Sequence, residues 1–107
     1  MCQPSYIWLF AAWVLWVQYE TIGVGTIKYE KNWVPEAAYP EAGYSKCIED
    51  MRTLAKRHVE GMKSQPNVTS VERVTFIGER EAVTTELKSG GSFHRTYVCF
   101  PDTVKPQ

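Results

Sequence analysis

Cys47 falls in a segment with helical periodicity and Cys99 in the last segment with strand periodicity. If the two sulfurs meet, one helix must lie on the sheet with Cα atoms roughly 5.5 Å apart across the bridge. The bridge closes a loop of about fifty residues and restricts the unfolded ensemble by on the order of 4 kcal/mol in the chain-entropy account. The alternative is a pair of unlinked buried thiols, which a reducing cytosol would favour. Cys2 is left over, and it departs if a leader is cleaved.

A chain of 107 residues builds one hydrophobic core and not two, so any site must sit on that core's surface or edge. Twelve Lys and Arg balance twelve Asp and Glu, and the signs alternate along the chain. No basic footprint for nucleic acid or anionic lipid results. The hydrophobic fraction of 44% and aromatic fraction of 13% lie well outside the disordered range and predict a packed fold.

Tyr6 to Val17 is an uncharged apolar run of twelve. It is too short to cross roughly 30 Å of hydrocarbon as a helix, so no stable membrane insertion is expected. Its length suits the apolar region of a signal peptide, with Ala11 and Ala12 before a cleavage point. Against a complete signal, no Lys or Arg precedes the run, Phe10 is poorly suited to its place two positions before Ala12, and the stretch ahead is short. The competing reading makes Trp13 to Glu20 the first strand, and both hold if residues 1–12 are a truncated leader and Trp13 opens the folded chain.

Within Trp13 to Glu20, alternation puts Trp13, Leu15, Val17 and Tyr19 on one face and Val14, Trp16, Gln18 and Glu20 on the other. Gly23-Val24-Gly25 reads as a turn, since the third glycine and following helix of a phosphate loop are missing. Trp33 to Tyr39 reads as an edge strand, because Pro35 cannot donate to a central ladder. From Pro40 to Ser64 the period becomes helical, with Cys47, Ile48, Met51, Leu54, Ala55, His58 and Met62 in one apolar stripe. Ser45 is the expected N-cap, Pro40 could begin an extra turn, and Pro66-Asn67 stops the helix. Val71 to Ile77, Ala82 to Lys88 and Ser92 to Phe100 read as strands, with Gly78 in the first connection and Gly90-Gly91 supplying positive φ in the second. The expectation is an α+β domain over residues 13–100, an antiparallel sheet of about five strands in the order strand, strand, helix, strand, strand, strand, with one helix on one face. Residues 101–107 are expected to form a loose tail, as Pro101 and Pro106 do not extend a sheet.

Ala12-Trp13-Val14-Leu15-Trp16, a single mid-helix cysteine, and Tyr97-Val98-Cys99-Phe100-Pro101-Asp102-Thr103-Val104-Lys105-Pro106 resemble a group of small uncharacterised secreted bacterial proteins. In that group an Ala-Trp-Val-Leu-Trp stretch follows the signal, and the chain closes on Tyr-x-Cys-Leu-Pro-Asp-Thr-Val-Asp-Pro. Phe100 and Lys105 depart from the usual leucine and aspartate. The resemblance implies export to the periplasm or beyond and a cysteine pair, and it carries no activity, cofactor or ligand residue to transfer.

Two histidines and two cysteines, His58, His94, Cys47 and Cys99, form a set of the ligand types zinc takes, but none are spaced to share one turn. His58 on an apolar stripe reads more simply as a core-boundary histidine, and His94 as an exposed hairpin residue. A Cys–His nucleophile would need Cys99 ionised and accessible. Glu79-Arg80-Glu81 and Lys56-Arg57 read as solvated mixed charge. No metal or other cofactor is expected from any motif. The aromatic residues stand out instead. Trp13 and Trp16 have opposite parity and Trp33 lies on an edge, so Trp16 and Trp33 are the candidate binding residues, for a protein, peptide or small ligand. The bland alternative covers them with loops or a second subunit of a homo-oligomer. The expected function is a non-catalytic exported domain with a binding or structural role; the alternative function is a small metal-binding or cysteine-dependent enzyme, and the alternative location is the cytoplasm.

Overall fold

The computed structural model describes residues 12–23, 30–76, 80–104 and 106. All but Ala12 of the expected leader segment 1–12, with Cys2, and also Gly25, Gly78 and Glu79 therefore lie outside the described residues. Five strands, β1 (Trp13–Ile22), β2 (Glu30–Tyr39), β3 (Val68–Phe76), β4 (Arg80–Leu87) and β5 (Ser92–Pro101), form one antiparallel sheet. A 3-10 turn (Glu41–Gly43) leads directly into one helix, α1 (Tyr44–Lys63), between β2 and β3. The α+β layout and the element order follow the hydrophobic periodicity. The spatial order is β2-β1-β5-β4-β3, so the last strand is inserted between the first and the fourth.

Local chemistry explains most boundaries. Gly90 and Gly91 adopt φ of 89° and 84° in the β4–β5 hairpin, as expected of a tight turn. A Cβ on Gly91 would collide with the Gly23 carbonyl, so this turn abuts the end of β1. Pro35 is tolerated for a reason visible in the register. Trp16 faces both Pro35 of β2 and Val98 of β5, and the Leu87 N–H to Gly91 carbonyl bond makes the odd-numbered residues of β5 those that bond β4, leaving the even-numbered ones, Val98 among them, to bond the even-numbered residues of β1. Pro35 thus sits in a non-bonded pair, its nitrogen turned outward from an edge strand. Glu36 is the extra residue of a bulge beside it. By the same geometry β5 runs one residue further than the pattern predicts. Pro101 pairs with Trp13, and its nitrogen faces the flank beyond Arg80, where β4 has ended. The chain then turns, with the Val104 N–H donating to the Pro101 carbonyl, and Pro106 is buried.

Ser45 is not the N-cap. Gly43 occupies that position without a side-chain hydrogen bond, because the 3-10 turn after Pro40 feeds α1 without a break and leaves Ser45 inside the first turn. The stripe of α1 buries Cys47, Met51 and Ala55 against Leu15, Val17, Val83, Tyr97 and Cys99. Ile48, Leu54 and Val59 pack at its margins. The Cys47–Cys99 disulfide joins α1 to β5 across a Cα separation of 6.2 Å, and both cysteines are fully buried. β2 is tied to the helix by a second link. The Tyr39 hydroxyl donates to Asp50 at 2.7 Å, and Lys46 meets the other Asp50 oxygen at 3.0 Å. Burial and then the carboxylate raise the Tyr39 pKa, while the Tyr39 hydrogen bond and Lys46 hold the Asp50 carboxyl below its usual range.

Candidate functional site

All of α1 lies on one face of the sheet, and among the described residues no helix covers the other. Strand parity assigns Val14, Trp16, Gln18 and Glu20 to that bare face. The register places Ala38, Pro35 and Trp33 of β2 beside them and Val98 and Thr96 of β5 on the far side. Val14 and Val98 are buried there, 5% and 0% exposed, yet neither belongs to the main core. Large neighbouring side chains therefore make a second, thinner apolar layer on this face.

Trp16 and Trp33, the two residues singled out by sequence, come together on this layer. Trp33 stands opposite Gln18 and Trp16 opposite Pro35, so the indoles are diagonal neighbours on adjacent strands, on the order of 7 Å apart at Cβ. Both rings are half-buried. Their Nε1 atoms, and the Nε2 of Gln18 beside them, are buried without a hydrogen-bond partner among the described residues. An unmet buried donor costs about 1–3 kcal/mol, so three within one small patch of the sheet is a concentrated deficit. Beside Trp16 a cavity of about 430 Å³ opens, walled by Val14, Pro35 and Ala38 and reached by Asp102. Such a surface can stack a flat group on the indoles while that group's oxygens accept from the N–H groups. Gln18 was not singled out from sequence, although its even position beside Trp16 was the signal for it. Trp13 differs from both: it lies under the helix, 4.5 Å from the Tyr44 ring, and donates to the Glu41 carbonyl.

Of the other candidates, the two cysteines pair with each other, and His58 and His94 line one cavity of about 220 Å³ from different elements. Both candidate thiols are consumed in the buried disulfide, which removes Cys99 as a nucleophile and both cysteines as metal ligands. His94 lies on the bare face, its ring within hydrogen-bond distance of Thr84 and Ser92, at 3.2 and 3.0 Å. His58 lies on the opposite side, under α1, where burial and then Arg95 lower its pKa to about 4. No group of three or more His, Cys, Asp or Glu side chains among the described residues could hold a metal ion. One sequence reading needs correcting. Glu81 is not on a solvated face but fully buried, because its odd position on β4 points under the helix. There its Oε1 accepts from Arg73 Nε at 2.7 Å and from the Thr75 hydroxyl at 3.1 Å. The pairing explains how the charge is accommodated. Arg80, its neighbour, is exposed as expected.

No helix among the described residues is long and apolar enough to cross a membrane. Compared with family models, curated proteins and solved structures, the chain matches none.

Proposed function

We propose that this protein is a non-catalytic exported binding domain whose ligand docks on the bare face at Trp16 and Trp33. The observation that carries the reading is the cluster of three buried donors, Trp16 Nε1, Trp33 Nε1 and Gln18 Nε2, with no acceptor among the described residues. A ligand offering a flat or extended surface edged with oxygens would supply what those donors lack, as an extended peptide or a sugar does. Export is supported by the buried Cys47–Cys99 bridge, which belongs to oxidising compartments, and by the resemblance to small secreted bacterial proteins.

The test uses the oxidised protein with 15N-labelled tryptophan, titrated with extended peptides and with mono- and oligosaccharides. The reading expects the Trp16 and Trp33 indole N–H resonances to shift together, saturably, with one class of compound. Trp16→Phe and Trp33→Phe, which keep a ring but delete the donor, should each weaken that binding by about tenfold. If no peptide or saccharide moves either resonance, or if the phenylalanine variants bind as tightly, the face is not a recognition surface.

A further inference from the structure

A second site lies on the other side of the sheet and does not depend on the preceding reading. α1 rests mainly over β3, β4 and β5, so its C-terminal half leaves a cleft above β1 and the edge of β2. Two adjoining cavities, about 310 and 220 Å³, share Tyr19, His58 and Arg95. The first is completed by Val17, Leu54 and Tyr97, the second by Met62 and Phe93. Together they reach the lower size range of small-molecule sites, with walls made largely of rings and aliphatic chains.

Two arginines, Arg57 and Arg95, and two glutamates, Glu36 and Glu20, line the cleft. The Arg95 guanidinium is held 4.7 Å above the Tyr19 ring, and Tyr97 lines the same cavity. Arg57 on α1 lines the first cavity. Neither arginine forms an ion pair with a carboxylate among the described residues. Glu36 lines the first cavity, while Glu20 and His94, which line the second, belong by strand parity to the opposite face of the sheet. His58 brings no charge: burial and Arg95 keep its ring neutral down to a pH of about 4. The cleft thus joins a guanidinium fixed against an aromatic floor, a second guanidinium at the entrance, and a neutral imidazole able to hydrogen-bond.

We infer that this cleft binds a small aromatic carboxylate, its ring against Tyr19, Tyr97 and Phe93 and its carboxylate on Arg95 with Arg57 as the second cation. The guanidinium fork matches a carboxylate in two parallel hydrogen bonds, and stacking on Tyr19 orients the fork before the ligand arrives. Ring and charge are both required: an aliphatic acid lacks the contact with the floor, and a neutral ring leaves Arg95 unpaired.

The experiment is calorimetric titration of the oxidised protein at neutral pH with 1-naphthoate, with acetate and 1-naphthalenemethanol as the charge-only and ring-only controls. Saturable binding of 1-naphthoate, at least about tenfold tighter than either control, is expected. Arg95→Gln should lose about tenfold or more in affinity. Because Arg95 also packs on Tyr19, Arg57→Gln on the exposed helix surface provides a variant whose fold is not at risk, and it too should weaken binding several-fold. Trp33→Phe, on the other face, should bind 1-naphthoate as the parent does. Absence of saturable binding to the parent protein overturns the inference. So does equal affinity in Arg57→Gln and a folded Arg95→Gln, or equal binding of the neutral alcohol. Displacement of 1-naphthoate by a peptide's C-terminal carboxylate more effectively than by other aromatic acids would also overturn the small-ligand assignment.

Discussion

Under α1 the buried polar atoms without partners are oxygens, Glu81 Oε2 and Thr85 Oγ1; on the bare face they are nitrogens, those of Trp16, Trp33 and Gln18. The two deficits are unequal in kind. Glu81 already receives two hydrogen bonds on its other oxygen, from Arg73 and Thr75, and the Thr85 hydroxyl can turn to either donate or accept. An indole N–H has a single capacity, to donate, and meets it only when an acceptor arrives. The helix-covered face is also fixed by the disulfide and by the Tyr39–Asp50–Lys46 link, whereas among the described residues the other face has only side chains over its strands. One face is closed by covalent and polar links to the helix, and the other carries donors that only an added acceptor would meet.

The largest test strikes the closed face. Replacing Cys47 and Cys99 together by alanine should lower unfolding stability by about 4 kcal/mol, read as a fall in the denaturant midpoint. A loss under about 1 kcal/mol would mean that packing alone secures the helix, and the contrast between the faces would weaken.

A smaller effect belongs to His58. In the unfolded chain it protonates near 6.5, in the folded chain near 4. Between these values unfolding takes up a proton, so stability falls as pH drops from 6.5 towards 4 and is independent of this group above 6.5. Discounted for its partial exposure, the loss is on the order of 2 kcal/mol. The groups facing it are Arg95 and Tyr97 of β5, Tyr19 of β1, Glu36 of β2 and Arg57 of α1 in one cavity, and Glu20 of β1 and His94 of β5 in the adjoining one. Comparing denaturant midpoints of the parent and His58→Gln across that window isolates the histidine; parallel curves would show that the cleft leaves it hydrated.

The smallest effect is expected on the bare face. Trp16→Phe and Trp33→Phe delete an unmet donor at the expense of part of a ring, so each should change stability by no more than about 1 kcal/mol in either direction. A loss of 3 kcal/mol or more, roughly that of truncating a core aromatic, would make this face a second core and end its role as a recognition surface.

Periodicity made the helix legible because the stripe from Cys47 to Met62 repeats at three and four residues, and it made the disulfide legible because Cys47 lies on that stripe. Pro35 marked the β2 edge by what it lacks. The pattern carries no information on which strands sit side by side. Tyr19 and Arg95 form the cleft floor only because β5 is inserted next to β1, a pairing between residues more than seventy positions apart. The same limit hid Glu81, a charge that reads as solvated until Arg73 and Thr75 of the neighbouring strand are placed beside it. Ser45 was misjudged for a local reason, since capping preference cannot foresee a 3-10 turn running straight into the helix.

The position of β5 also sets the order of events as the chain is made. The strand that joins the two halves of the sheet, and that carries the second cysteine, is synthesised after the other four. Until it leaves the ribosome, β1 and β2 can pair only with each other, and β3 and β4 likewise, two hairpins that cannot yet be joined into one sheet. A two-stranded hairpin is marginal in water, so the growing chain should stay unfolded until its last strand arrives, and then fold slowly through long-range pairing. Such a chain remains threadable throughout its synthesis.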